Sequence, residues 1–314
     1  VALAATLSYC AFFLAHGFWP LLILGFIALS LTQAVTPLVE AMTLRATAEG
    51  RISYGAARGV GSISFIIANI VGGLMVARFG VGAVVVWIIA GLAITALTSW
   101  VSLQPDPSQH AHSGAKARLG AVGDLLRNRR FIIGIVACGL IQSGHAFYYG
   151  FSTLVWRGQG IGPDMVGYLW AFGVAVEVAF LWSLPLIERR VGPEALITAG
   201  AIGGVVRWTL LGFAPVGFVL WPLQALHMLS FAAAHVGAMR LIYREAPPAA
   251  AAMAQTIYAA LSAGILMGGS TLLSGVLYDL GGARGYWAMA ALAGLGGALS
   301  VLLFLPARRA ARSG

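Results

Sequence analysis

Apolar runs of membrane-spanning length occupy almost the whole of this chain, and no other feature restricts its fold as severely. A helix needs about 20 mostly apolar residues to cross a bilayer. Ten stretches approach or exceed that length, at 1–15, 18–46, 55–78, 82–103, 131–155, 164–187, 195–213, 216–243, 251–277 and 285–305. Inside lipid every backbone N–H and C=O must find its partner within the segment itself, so each stretch is expected as a helix. Charged residues make up 9% of the 314 against 60% hydrophobic, too few to cover a water-soluble globule. The expected class is an all-α, polytopic membrane protein. The first stretch is short and begins at Val1 with no basic flank, which reads as a truncated span rather than a signal peptide.

In a soluble protein a formal net charge of +9 would point to nucleic acid; in a membrane protein the placement of Lys and Arg carries the information. Alternate loops and the C-terminal tail hold fifteen of the 19, from Arg45 and Arg51 to Arg308, Arg309 and Arg312. The opposite loops hold Arg78, Arg157 and Arg284, and Arg207 lies within a span. The arginine-rich side is expected to face the cytoplasm, with the C-terminus inside and the protein in the plasma (bacterial inner) membrane. Nucleic acid is not expected as a partner. Cys10 and Cys138 have no metal or disulfide spacing, and the pair His110 and His112 supplies too few ligands for zinc. No metal or other cofactor is expected.

One long polar break, rich in Pro, Ser, His, Lys and Arg, divides four spans from six. The expected organisation is an N-terminal half at 1–103, a cytoplasmic linker at 104–130 and a C-terminal half at 131–314. A weak repeat supports it: Ala41-Met42-Thr43-Leu44-Arg45 echoes Ala238-Met239-Arg240-Leu241, and Gly73–Gly80 echoes Gly275–Gly282. Such an offset implies two six-helix halves, of which the first lacks two helices ahead of Val1. Gly264 and Gly268 form a GxxxG step, for which close helix packing is the plain expectation. Trp156 is expected among the tryptophans of the interfacial belt.

An ionisable side chain at mid-bilayer costs about 2.5–3.5 kcal/mol even on lenient insertion scales, so each one needs a partner or a purpose. Glu40 lies on a stripe with Gln33, Thr36 and Thr43, and Arg58 on one with Ser62, Phe65 and Asn69, both at helical spacing. The second half adds His145, Glu177, Arg207, His227 and His235, so that four consecutive spans carry His, Glu, Arg and His. A Glu177 to Arg207 ion pair would satisfy part of this cost without any transport role. The full set suits coupled binding instead: moving a guanidinium toward or away from a carboxylate switches its proton affinity. His227 or His235 can relay the proton. Arg58 or Arg207 can clamp a substrate carboxylate by a bidentate pair. Glu40 and Arg58 can equally pair with one another as a gate. Phe147, Tyr148, Tyr149, Phe151 and Trp156 crowd the helix of His145, and the next span opens with Tyr168, Trp170 and Phe172, either as packing or as a wall for an aromatic ligand.

These residues carry a resemblance. Val39-Glu40-Ala41 followed by Tyr54-Gly55 and Arg58, together with Arg207 and Leu226-His227-Met228, is similar to the major facilitator superfamily, in the branch that holds galactoside/proton symporters. Phe65 matches a Trp on which the sugar stacks in that branch. The chain departs from the pattern where the proton-carrying Glu three residues after the His is Ser230, where a Lys three before it is Gln224, and where the acid of an earlier helix stands one turn later, at Glu177. GHAFYYGFSTLVW, VGYLWAFGVAVEV, GGVVRW, LQALH, HVGAMR and RISYGAARGVGSISFI resemble the phenylpropionate permease group of the same superfamily. The resemblance implies a major facilitator fold of two six-helix bundles, cut to about ten helices here. It further implies a monomeric, proton-coupled symporter that imports a small aromatic carboxylate such as 3-phenylpropionate.

The expected substrate-binding residues are Glu40, Arg58, Phe65, His145, Tyr149 and Arg207, and the expected proton-coupling residues Glu177, Arg207, His227 and His235. The expected partners are a small-molecule substrate, protons and the lipid bilayer. Symport of a sugar or nucleoside stays open, because Glu40 would accept hydroxyl hydrogen bonds and repel an anion, and so does multidrug efflux. An enzyme is not expected: no HExxH, GxSxG or P-loop is present.

Overall fold

A computed structural model of the chain describes residues 1–48, 50–52, 54–102, 123, 125–187, 189–246 and 250–305. Within the helices, the side chains of residues 36–38, 40, 41, 44, 45, 47, 48, 54–56, 58, 59, 102, 251 and 252 lie outside the described set. The described residues are almost wholly helical and contain no strand. Eight continuous runs among them are long and apolar enough to cross a membrane, and Ala2–Phe13 is a shorter apolar helix. The run Met253–Phe304, 52 residues long, has the length of two passes. It turns back at Gly282, whose φ of 56° favours a residue without Cβ.

The chain divides into two compact units, Val1–Ala111 with Pro163–Tyr168, and His112–Gly162 with Leu169–Gly314. The first contains α1 (Ala2–Cys10), α2 (Phe18–Ala48), α3 (Tyr54–Phe79) and α4 (Ala83–Ser102). α1 packs on α2 and α4, and α3 on α4. Its polar side chains turn back on their own helices: Thr32 Oγ1 donates to Ala28 O (2.8 Å), Asn69 Nδ2 to Phe65 O (2.9 Å) and Thr95 Oγ1 to Gly91 O (2.8 Å). Such bonds let a polar residue sit in an apolar span without an outside partner.

The second unit contains α5 (Arg129–Ser143), α6 (His145–Gly158), most of α7 (Pro163–Ile187), α8 (Pro193–Leu211), α9 (Leu220–Ala225), α10 (Ala234–Glu245), α11 (Ala251–Ala259), α12 (Met267–Gly281) and α13 (Gly285–Val301). Two π-helical segments interrupt its long runs, Met228–Ala233 before α10 and Ala260–Leu266 before α12. α13 lies against α8 and α5, α10 against α8 and α5, and α12 against α6. Glycines set the closest approaches: a Cβ on Gly296 of α13 would stand 2.6 Å from Ala137 O of α5, and one on Gly237 of α10 2.9 Å from Pro193 O. A Cβ on Gly264 or Gly268, the GxxxG step, would meet nothing within 4 Å among the described residues. Trp156 departs from the interfacial expectation and is buried, edge-on to Tyr148 at 6.0 Å.

At its arginine-rich end this unit is tied by a polar network. Asn128 caps α5, its Oδ1 accepting from Arg130 N (3.0 Å) and Phe131 N (3.1 Å). Arg130 pairs with Glu194 of α8 (2.7 Å) and Glu245 of α10 (3.2 Å), and donates to Leu305 O beyond α13 (3.2 Å). Arg244 joins the same two carboxylates. Single exposed ion pairs contribute about 0–1 kcal/mol, but several sharing partners hold the ends of four helices in one register.

Candidate functional site

The core of the second unit is built around Arg207, which is 0% exposed in the last two turns of the apolar helix α8. Burying a guanidinium is costly unless its donors are met. Three neutral acceptors meet part of it: Nη1 donates to His227 Nδ1 (3.0 Å) and Ser230 Oγ (3.4 Å), and Nη2 to Gln224 Oε1 (2.9 Å). The guanidinium carbon also lies 4.4 Å from the centre of the Tyr148 ring and 4.5 Å from that of Trp208, so two electron-rich rings flank the cation. Among the described residues Arg207 forms no ion pair.

This fan of hydrogen bonds fixes the protons on both neighbouring histidines. A guanidinium has no acceptor, so His227 Nδ1 must accept and the ring proton sits on Nε2. Nε2 faces Glu177 Oε2 at 3.3 Å. On the other side His145 Nδ1 lies 3.0 Å from Gln142 O and must donate to it, which leaves Nε2, 3.2 Å from Ser230 Oγ, to accept the serine hydroxyl. The His227 ring is therefore neutral in this arrangement. The branches through His227 and through Ser230 run donor to acceptor away from Arg207, and the first reaches the Glu177 carboxylate.

Helix geometry supplies the spacing. The π-helical segment Met228–Ala233 lies directly after His227 and widens the turn there, a distortion that recurs at functional sites. His227, Phe231 and His235 then stack along one face, with ring centres at 5.1 Å and 6.3 Å and interplanar angles of 8° in both cases. Gln224 stands three residues before His227, where its Oε1 also accepts from Tyr148 OH at 2.7 Å. An aromatic wall continues outward: Trp170 lies 4.4 Å from Tyr148 and stacks on Tyr149 at 5.9 Å. Tyr149 is 45% exposed.

The residues expected from sequence fall into three groups. His145, Glu177, Arg207 and His227 come together as one hydrogen-bonded set, and Tyr149 lies beside it, its ring 5.7 Å from His145. His235 is exposed and reaches toward the set by way of Phe231. Phe65 is 48% exposed on α3. The side chains of Glu40 and Arg58 lie outside the described residues, as do His110 and His112. Sequence reasoning did not assign Tyr148, Trp208, Gln224 and Ser230 to the site, although the three-residue spacing of Gln224 and Ser230 about His227 was the available signal.

The chain is similar to known proteins along most of its length. The profile described as the MFS_1 like family matches residues 1–289. The chain is 30% identical over 283 residues to the "Probable 3-phenylpropionic acid transporter" of Escherichia coli (strain K12), covering 89% of this chain and 73% of that protein. It is 23% identical over 249 residues to the "Uncharacterized transporter YwbF" of Bacillus subtilis (strain 168), covering 79% of this chain and 61% of that one. Its fold resembles the crystal structure of the nucleoside transporter NupG (D323A mutant), with a TM-score of 0.73 at 17% identity over 97% of this chain and 82% of that one. An all-helical membrane chain that matches this family over residues 1–289 is a transporter of the major facilitator superfamily and a member of its MFS_1-like family.

Proposed function

We propose that the protein is a proton-coupled symporter that imports a small aromatic carboxylate of the 3-phenylpropionate type across the plasma membrane, with its arginine-rich side toward the cytoplasm. The observation that carries this reading is the line Glu177, His227, Arg207, in which a carboxylate is held through a neutral imidazole to a buried cation. The name of the Escherichia coli relative supports the substrate class.

Glu177 is the proton carrier in this scheme. His227 presents Nε2–H to it, and the guanidinium behind Nδ1 keeps the imidazole in that tautomer. Arg207 cannot take up a proton, so transfer along this line stops at Glu177 and His227. Coupling arises from charge. An arylpropionate anion next to an ionised Glu177 would bring two negative charges into one low-dielectric site, and protonation of Glu177 removes the repulsion. Tyr149 and Trp170, stacked and accessible, suit the face of an aromatic ring. Of the two arginines suited to clamp a carboxylate, Arg207 is enclosed at 0% exposure, which favours Arg58 as the clamp.

The decisive measurement is uptake into vesicles containing the protein. Accumulation of 3-phenylpropionate under an inward proton gradient, collapsed by an uncoupler, is expected. Uptake indifferent to the uncoupler would reject symport, and accumulation of a sugar or nucleoside in place of the acid would move the substrate to the neutral class. Arg58→Lys is expected to weaken ligand binding and Arg207→Lys to spare it; the reverse pattern would return the clamp to Arg207.

A further inference from the structure

The helical run from Gly217 to Glu245 ends in the polar network at the arginine-rich end of the second unit. His227, Phe231 and His235 follow one another along one face of it, four residues apart. The two histidines differ in their surroundings. His227 is buried and lies against Glu177, whose carboxylate keeps 18% exposure. His235 is exposed and stands about 12 Å farther along the axis, toward the arginine-rich end. Phe231 lies between them, its ring stacked on that of His227 at 5.1 Å and on that of His235 at 6.3 Å. It also meets His145 of α6 edge-on at 5.7 Å, and its carbonyl accepts from Gln142 Nε2 of α5 at 3.2 Å. Behind His227 lie the remaining charged groups of the set, Glu177 of α7 and Arg207 of α8 in its cage of Tyr148, Trp208 and Gln224.

A proton moves through a membrane span along carboxylates, imidazoles and waters that lie within hydrogen-bonding reach of one another. Both nitrogens of His227 are committed in the plane of its ring, Nδ1 to Arg207 and Nε2 to Glu177. The surface it turns toward Phe231 is therefore a ring face with no proton to give, and the phenyl ring stacked there has neither donor nor acceptor. We propose that Phe231 is a coupling residue, an apolar spacer that interrupts the proton route between the Glu177 and His227 pair and the exposed His235. A proton taken up by Glu177 then cannot run along this face to the arginine-rich end by itself. The inference rests on the proton role proposed above for Glu177. Gln142 holds the spacer in place from α5 by its bond to the Phe231 carbonyl. Removing the ring would open a space bordered by imidazoles, polar enough to hold water, and water there would join His227 to His235.

The test is proton flux into vesicles containing the protein, read with a trapped pH-sensitive dye under an imposed pH gradient. Potassium and valinomycin hold the membrane potential, and no substrate is present. Phe231→His, which keeps a planar ring in the stack and adds a proton carrier, is expected to raise the flux several-fold over the unaltered protein, and Phe231→Ala to do the same through water. Phe231→Leu, still bulky and apolar, is expected to keep the unaltered rate, and adding His235→Leu to Phe231→His to restore it. Flux unchanged in both Phe231→His and Phe231→Ala would overturn the spacer. Equal leaks in Phe231→Leu and Phe231→Ala would do so too, because loss of packing would then be the cause, and so would a leak that survives His235→Leu. No substrate enters this measurement, which separates its failure from that of symport: uptake indifferent to an uncoupler rejects the proposed function, whereas proton-tight Phe231→His vesicles reject the spacer alone.

Discussion

Glu177 and Arg207 are held by one shared imidazole, and that bridge sets what each can do. Replacing the carboxylate by an amide leaves the shape and a hydrogen-bond acceptor for His227 Nε2–H, while removing the group that takes up and releases a proton. Glu177→Gln is accordingly expected to abolish uphill accumulation in vesicles and leave substrate exchange measurable; surviving accumulation would move the proton site to His227 or His235. Gln224 carries a different weight. Its Oε1 accepts from both Arg207 Nη2 and Tyr148 OH, and hydrogen bonds to a charged group contribute about 1.5–3 kcal/mol. Gln224→Leu should lower the unfolding midpoint in nanodiscs by an amount equivalent to that range, and an unchanged midpoint would mean that the Oε1 bonds are not holding the cage. The ionisable members of this set were legible in the sequence because any charge inside a span stands out. Gln224, Ser230 and Tyr148 were not, because neutral polar and aromatic residues occur in spans for many reasons and their role depends on what lies opposite.

At the scale of the element, two devices position this set. A π-helical turn follows His227, and the four-residue spacing of His227, Phe231 and His235 puts them on one face, where their rings stack. A close backbone approach between α13 and α5 depends on the missing side chain of Gly296. Gly296→Leu is expected to destabilise by about 1–3 kcal/mol through overpacking, read as a lower unfolding midpoint, whereas Gly268→Leu should be nearly neutral because no atom of the described residues stands within 4 Å of a Cβ there. Equal effects at the two positions would contradict this packing. The Asn128 cap is a smaller element. Asn128→Ala removes the side-chain acceptor for two backbone N–H groups of α5 and should cost about 0.5–2 kcal/mol, also read as a lower midpoint. Spans were readable from composition, but the π-turns were not. They arise where side-chain packing outweighs one regular hydrogen bond, and no residue type marks that balance.

For the whole molecule, the distribution of arginine bears on orientation. Fifteen of the 19 Lys and Arg residues lie on alternate loops and the C-terminal tail, and Arg130, Glu194, Arg244 and Glu245 tie the helix ends on that side. In intact cells a membrane-impermeant maleimide is expected to label a cysteine placed by Arg157→Cys and to spare one placed by Arg189→Cys, against a background lacking Cys10 and Cys138. Labelling of the second and not the first would invert the topology.

The sequence by itself determined that the chain is helical and crosses a membrane many times, because a chain with this little polar surface has no other way to satisfy its backbone in lipid. It also marked which spans carry charge, because each such residue is expensive there. Tertiary structure alone decided which of those charges meet. Sequence spacing defines a helix face, but the partner of that face is chosen by packing between helices far apart in the chain, and that choice put a histidine between Glu177 and Arg207 in place of a direct ion pair. It also enclosed Arg207 among Tyr148, Trp208 and Gln224, which turned a candidate substrate clamp into a buried cation tied to Glu177 through one imidazole.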